Sequence, residues 1–182
     1  ITNIQKKEFC LGYSGLLGIF FLTVISYTSN FFLPHNLIHN SIIFITGFLI
    51  FTYYFSKNYI LKKDIKIFAL IFLFLFLSFL VFKAHDDFPY YHFPYIQLLT
   101  DYSHPLGLGQ LNNGFRSPSS IFFISSLFFL PKIGIYLFHI TPAFIMGFAN
   151  IIFLKNILDK GLFQKEKMIS FLSLLFFIFI NV

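Results

Sequence analysis

Five stretches of this 182-residue chain each approach the roughly 17–25 apolar residues that carry a helix across a bilayer, and that constrains the fold more than any other feature. They run over Phe9–Tyr27, Leu37–Phe55, Ile65–Phe82, Ile133–Leu154 and from Met168 onward. Lipid offers no partner to an unpaired backbone N–H or C=O, so each run reads as a helix. The expected fold is an all-α polytopic membrane protein with about five transmembrane helices, forming a single domain over 1–182. Composition agrees: 57% of residues are hydrophobic and 11% charged, against about 25% charged in soluble domains. So few charges cannot cover a water-facing globule.

The chain opens at Ile1 and stops at Val182 inside an apolar run, so it reads as a piece of a longer protein, truncated at both ends. Lys6 and Lys7 precede the first run as they would in a signal peptide, but that run is long and has no small-residue cleavage site after Ser29. It reads as a retained helix. Cys10, the single cysteine, permits neither an intrachain disulfide nor a cysteine-based metal site.

Lysines set the expected orientation. With Lys6 and Lys7, the connections after the second and fourth runs (Lys57, Lys62, Lys63, Lys66; Lys155, Lys160, Lys165, Lys167) hold ten of the thirteen basic residues, and these fall on one side. The positive-inside rule makes that side cytoplasmic, in a bacterial inner membrane, and places residues 83–132 outside. The segment Ser117–Leu130 is apolar but short and bounded by Pro118 and Pro131, so it reads as an interfacial or re-entrant helix with Ser117 as N-cap and Pro118 as first residue. Pro142 is expected to kink the fourth span. Pre-proline residues Phe88, Phe93, His104 and Ser117 are expected breaks. Between two of them, Pro94–Tyr102 suits a short helix lying flat in the headgroup region, with Tyr95, Leu98, Leu99 and Tyr102 on one face.

The outer stretch carries the chemistry available to the chain. Asp86 and Asp87 follow an apolar run directly and are flanked by His85, His92 and several aromatic residues. Adjacent side chains point in different directions, so one carboxylate would act as a general base or metal ligand while the other orients it. The competing reading is a solvated helix end. Asp86, Asp87 and His92 also offer donors to a divalent cation; the spacing matches no zinc signature, and carboxylate ligands favour Mg2+ or Mn2+. The second constellation is Arg116 with Ser117, Ser119 and Ser120 at a helix start, where a guanidinium, hydroxyls and free N–H groups suit a phosphate. Its competing partners are lipid headgroups and Asp101. His35, His39 and His104 receive no role.

An outward loop that opens on paired acids just after a membrane helix and returns through short amphipathic helices resembles the GT-C superfamily of membrane glycosyltransferases, the matching residues being Asp86 and Asp87 in His-Asp-Asp-Phe-Pro-Tyr-Tyr-His. The run from Gly114 through Arg116 to Ser120 is also similar to segments of polytopic proteins of bacterial surface-polysaccharide type. The resemblance implies a polyprenyl-phosphate-linked sugar as donor, one of the two acids as catalytic carboxylate, and a role in cell-envelope polysaccharide biosynthesis. It departs from the superfamily in that three spans precede the acidic loop. A polysaccharide polymerase or ligase, or a flippase or transporter of lipid-linked glycans, is the alternative. A net charge of +6 made of dispersed cytoplasmic lysines excludes a nucleic-acid surface.

Overall fold

In a computed structural model of the chain, residues 11–57, 65–73, 75, 87–104, 106–116, 119–159, 161 and 163–180 are described, with side chains as far as 176. The helices are α1 (Leu11–Phe32), α2 (Leu37–Lys57), α3 (65–73), α4 (Phe93–Asp101), α5 (Leu108–Leu111), α6 (Ser120–Ser126), α7 (Thr141–Leu158) and α8 (Gln164–Ile180). Among the described residues the only β pairing is an isolated bridge, Leu130 to Gly134. Among the described residues three helices, α1, α2 and α7, are long and apolar enough to cross a membrane. The expected third span is helical over 65–73, and most of the rest of it lies outside the described residues.

Helix α1 packs along α7 at close range. A Cβ on Gly12 would sit 2.6 Å from Ile152 Cγ1 and 2.7 Å from the Phe148 carbonyl, so only glycine allows the two backbones to approach this far. Phe68 and Phe72 of α3 also pack on α7, with ring centroids 5.6 and 5.9 Å from Phe148. Asn156 Nδ2 of α7 donates to Ser170 Oγ of α8 at 3.4 Å. Helix α2 differs from these: Asn40 is its one buried residue, and its phenylalanines and leucines face outward.

The best-packed apolar core lies inside the stretch that reads as most polar. Tyr95, Ile96 and Leu99 of α4 pack against Leu108, Phe115, Phe122, Phe123 and Phe138. The face expected to meet headgroups over Pro94–Tyr102 is instead packed: α4 buries Tyr95, Ile96, Leu99 and Thr100, while Gln97, Asp101 and Tyr102 remain exposed. Helix α6 is likewise shorter and deeper than expected. It spans Ser120–Ser126, everything in it from Phe122 onward is buried, and its N-cap is Ser119, whose Oγ accepts from Ile121 N. Ser117 and Pro118, the expected cap and first residue, lie outside the described residues.

Two proline expectations are also corrected. The helix expected from Ile133 starts only at Thr141, so Pro142 sits in its first turn, where its missing N–H costs nothing and no kink follows. Phe93 is helical (φ −59°, ψ −51°) rather than a break. A π-helical turn over Phe88–His92 precedes it, closed by Phe93 N–H donating to Phe88 O, and this wider turn makes room for the Pro94 ring without ending the helix. His104 is a break as expected, at φ +37°.

Candidate functional site

Asp87 immediately precedes the π turn, half-buried. Tyr91 lies one turn on, its N–H donating to Asp87 O at 3.2 Å and its hydroxyl to Asp87 Oδ2 at 3.4 Å. Partial desolvation first, then the charge and hydrogen bond of Asp87, push the Tyr91 phenol above its ordinary value. It therefore stays a donor at neutral pH and orients the carboxylate. His92 is enclosed by Tyr91 edge-on at 4.3 Å and Phe122 at 4.9 Å, with Phe88 behind it. Its ring is a packing element of this turn.

The Arg116 segment comes to the same place. Asn112 Oδ1 accepts from Gly114 N at 2.8 Å and closes a tight turn, while Asn112 Nδ2 reaches Tyr90 O at 3.4 Å. Gly114 lies under Tyr91, whose ring would be 2.8 Å from a Cβ there, so any larger residue would push the turn away. Arg116 follows, exposed, with Nε donating to Gly109 O at 3.4 Å. The two turns, separate in sequence, thus meet at the contact of Tyr91 with Gly114. Asp86, His85 and Ser117 lie outside the described residues. Ser119 is engaged in capping α6, and Ser120 Oγ sits 3.4 Å from Tyr27 Oη of α1, so these two hydroxyls serve the fold of α6.

Among the described residues, which leave out His85 and Asp86, no three His, Cys, Asp or Glu are grouped to hold an ion. Of the expected trio, Asp87 is engaged with Tyr91 and His92 is wedged between rings.

A second polar cluster emerges where α1 turns into α2. Ser26, Asn30, His35 and Asn40 are each at most 1% exposed. Ser26 Oγ donates to Phe123 O at 2.6 Å, and Asn40 Nδ2 to His35 O, Ser126 O and Phe129 O at 2.7, 2.8 and 3.1 Å. His35 N–H donates to Leu99 O at 2.9 Å, and its Nδ1 lies 2.6 Å from Ser126 Oγ and Nε2 3.1 Å from Ser26 O. Ser126 Oγ in turn donates to Phe123 O at 2.8 Å. The cluster supplies donors to carbonyls at the C-terminal end of the short buried helix α6. Sequence reasoning gave His35 no role. The signal was present in Ser26, Asn30 and Asn40, polar residues four apart or at the ends of otherwise apolar runs.

A family model described as a domain of unknown function (DUF8201) matches residues 1–182. No curated protein and no solved structure matches the chain.

Proposed function

The chain belongs to the DUF8201 family, and from the geometry above we propose that it is a membrane-embedded glycosyltransferase that uses a polyprenyl-phosphate-linked sugar on the outer face of the membrane, in cell-surface glycan assembly. The observation that carries this reading is the meeting of the Asp87 turn with the Arg116 turn at Tyr91 and Gly114. A base and a phosphate-binding cation on one face are what sugar transfer from a phosphate leaving group requires. Asp87, or Asp86 beside it, takes the proton of the acceptor hydroxyl as its oxygen attacks the anomeric carbon. The bond from that carbon to the phosphate oxygen breaks, and the electron pair leaves with the polyprenyl phosphate toward Arg116. A planar guanidinium can hold two phosphate oxygens at once.

In this reading the stretch 65–82 and α8 are the remaining two crossings, and the lysine-bearing connections face the cytoplasm. The α1–α2 turn, which has no lysine or arginine, packs against α4 and α6, so both lysine-poor segments share a side. Cysteines introduced at exposed Ser103 and Lys165 should label from opposite faces of intact cells. Labelling from one face would end the assignment of sides.

The test of the site is a titration of the protein with a polyprenyl phosphate at low and moderate salt. Arg116→Ala should weaken binding by about 2 kcal/mol or more, over tenfold, with Arg116→Lys restoring only part. A loss below about tenfold that vanishes as salt rises identifies Arg116 as a headgroup contact and removes the donor site. Transport of a lipid-linked glycan is a second reading, favoured by one observation: Asn150, on the α7 span, has a buried Oδ1 without a partner among the described residues. Translocation of such a glycan in proteoliposomes, lost on Asn150→Leu, would replace the transferase reading.

A further inference from the structure

Between the C-terminal end of α1 and the loop of residues 104–115 lies a cleft of about 570 Å3, within the range of roughly 300–1,000 Å3 common to small-molecule sites. Its walls are largely aromatic, with Tyr27 and Phe31 from α1, Tyr95 from α4, and Phe115 and Phe123 among the lining. Three other lining residues, Thr28, Asn30 and His104, are polar, and the Thr28 hydroxyl is already donated to Val24 O at 2.8 Å.

Asn30 is 1% exposed. Its Nδ2 donates to Leu99 O at 3.1 Å and Tyr102 O at 3.4 Å, which fixes the orientation of the amide. Its Oδ1 has no hydrogen-bond partner among the described residues. A buried acceptor without a donor is rare in a folded protein and calls for an explanation. His104 stands beside it in an unusual backbone state, with φ +37°, a left-handed value that non-glycine residues rarely hold. Its N–H donates to Asn30 O at 2.9 Å, and its ring centroid is 4.6 Å from that of Phe31. Backbone strain of this kind gathers where side chains must be held for a ligand.

These features narrow the occupant. A plain hydrocarbon chain brings no donor for Asn30 Oδ1. An ionised phosphate brings only acceptors and would set its charge against that carbonyl. The occupant must carry O–H or N–H groups at its edge and apolar faces against the rings, and a sugar has both. We infer that the cleft is a saccharide subsite, in which Asn30 Oδ1 accepts from a ring hydroxyl or an N-acyl amide, with aromatic walls on the sugar faces and His104 at the mouth. Arg116 is placed for the adjoining phosphate: it follows Phe115 in the chain and donates to Gly109 O, both residues of the lining. This assignment deepens the lipid-linked glycan reading and rests on it for the identity of the sugar's carrier.

The experiment titrates the full chain in nanodiscs with hexyl β-glucoside, its fully O-methylated analogue, hexanol and hexyl phosphate, read by saturation-transfer NMR. The glucoside should bind about tenfold or more tightly than each of the other three, because only it combines donors with an apolar ring face. His104→Gly removes the ring while relieving the backbone strain. It should weaken the glucoside by about fivefold or more with an unfolding temperature unchanged or raised, which a purely structural role would not produce. Equal binding of the O-methylated analogue or hexanol overturns the proposal in favour of a lipid groove. Binding by none of the four overturns it in favour of a hydrated cleft. The glucoside carries no phosphate, so a failed polyprenyl-phosphate titration with intact glucoside binding removes the transferase reading and leaves the subsite standing.

Discussion

The polar residues at 26–40 and those at 87–116 both lie beside membrane-spanning helices, yet the fold treats them in opposite ways. Ser26, His35 and Asn40 are sealed from solvent; Ser26 and Asn40 donate to carbonyls of α6 and its following turn at 2.6–3.1 Å, and the His35 ring meets the Ser126 hydroxyl at 2.6 Å. Arg116 is exposed, its side chain reaching Gly109 O at 3.4 Å, and the hydroxyl of Tyr91 meets Asp87 at the same long distance. Short, saturated bonds between fixed groups describe a structural clamp. Long ones on a half-open face describe groups that can tighten onto a ligand, as catalytic hydrogen bonds often do only once substrate is bound. In a chain with this little polar material, the state of the bonds separates the two better than residue type does.

The largest effect should come from breaking the clamp. Asn40→Ala removes one Nδ2 group that serves three carbonyls, at His35, Ser126 and Phe129, in a place without ready access to water. Ser126 O keeps the Phe129 N–H at 3.2 Å, so the other two carbonyls are orphaned, which should cost about 3–5 kcal/mol, and thermal unfolding in nanodiscs measures it. A loss under about 1 kcal/mol would mean that water reaches these carbonyls and that the clamp is no clamp.

The second effect is a pH dependence of the same region. Burial first, then the nearby His39, lower the His35 pKa from 6.5 to about 4, with the Ser26 carbonyl pulling the other way. The unfolded chain thus binds the proton more readily than the folded one. Stability should be full above about pH 6.5, fall as pH drops toward 4, and level off below, for a total of about 3 kcal/mol. Carboxylates titrate in part of this window, so the comparison is with His35→Gln, whose stability should vary less between pH 7 and 5. Identical slopes in the two proteins would show that His35 is not the titrating group.

The helices were legible because bilayer thickness imposes length on apolar runs: Leu37–Phe55 differs from α2 by two residues at one end. The clamp was not legible, since nothing in the order of residues says that α6 turns inward and leaves carbonyls for Asn40 to meet. Pro142 misled for a related reason: a proline kinks a helix interior but is welcome in a first turn, and which applies depends on where the helix starts. The partnership of Asp87 with Tyr91 was half legible. A spacing of four on a helix brings side chains together, but a proline at 89 argued against a helix there, and the π turn that reconciles them has no sequence signature.

The smallest effect on stability, and the sharpest contrast, belongs to Asp87→Asn. The amide keeps the shape of the carboxyl and can still accept from Tyr91, so the unfolding temperature should change by no more than about 0.5 kcal/mol's worth. Transfer from a lipid-linked donor should fall by about a hundredfold or more if Asp87 is the base, because an amide cannot take the acceptor's proton. Asp86→Asn is the necessary partner experiment, since adjacent carboxylates point apart and only one can face the acceptor. If Asp87→Asn proves as destabilising as Asn40→Ala, the two regions are alike and the rim is a second clamp. If neither acid variant lowers transfer, the base lies elsewhere, and the meeting of Tyr91 with Gly114 serves only to pack the outer turn.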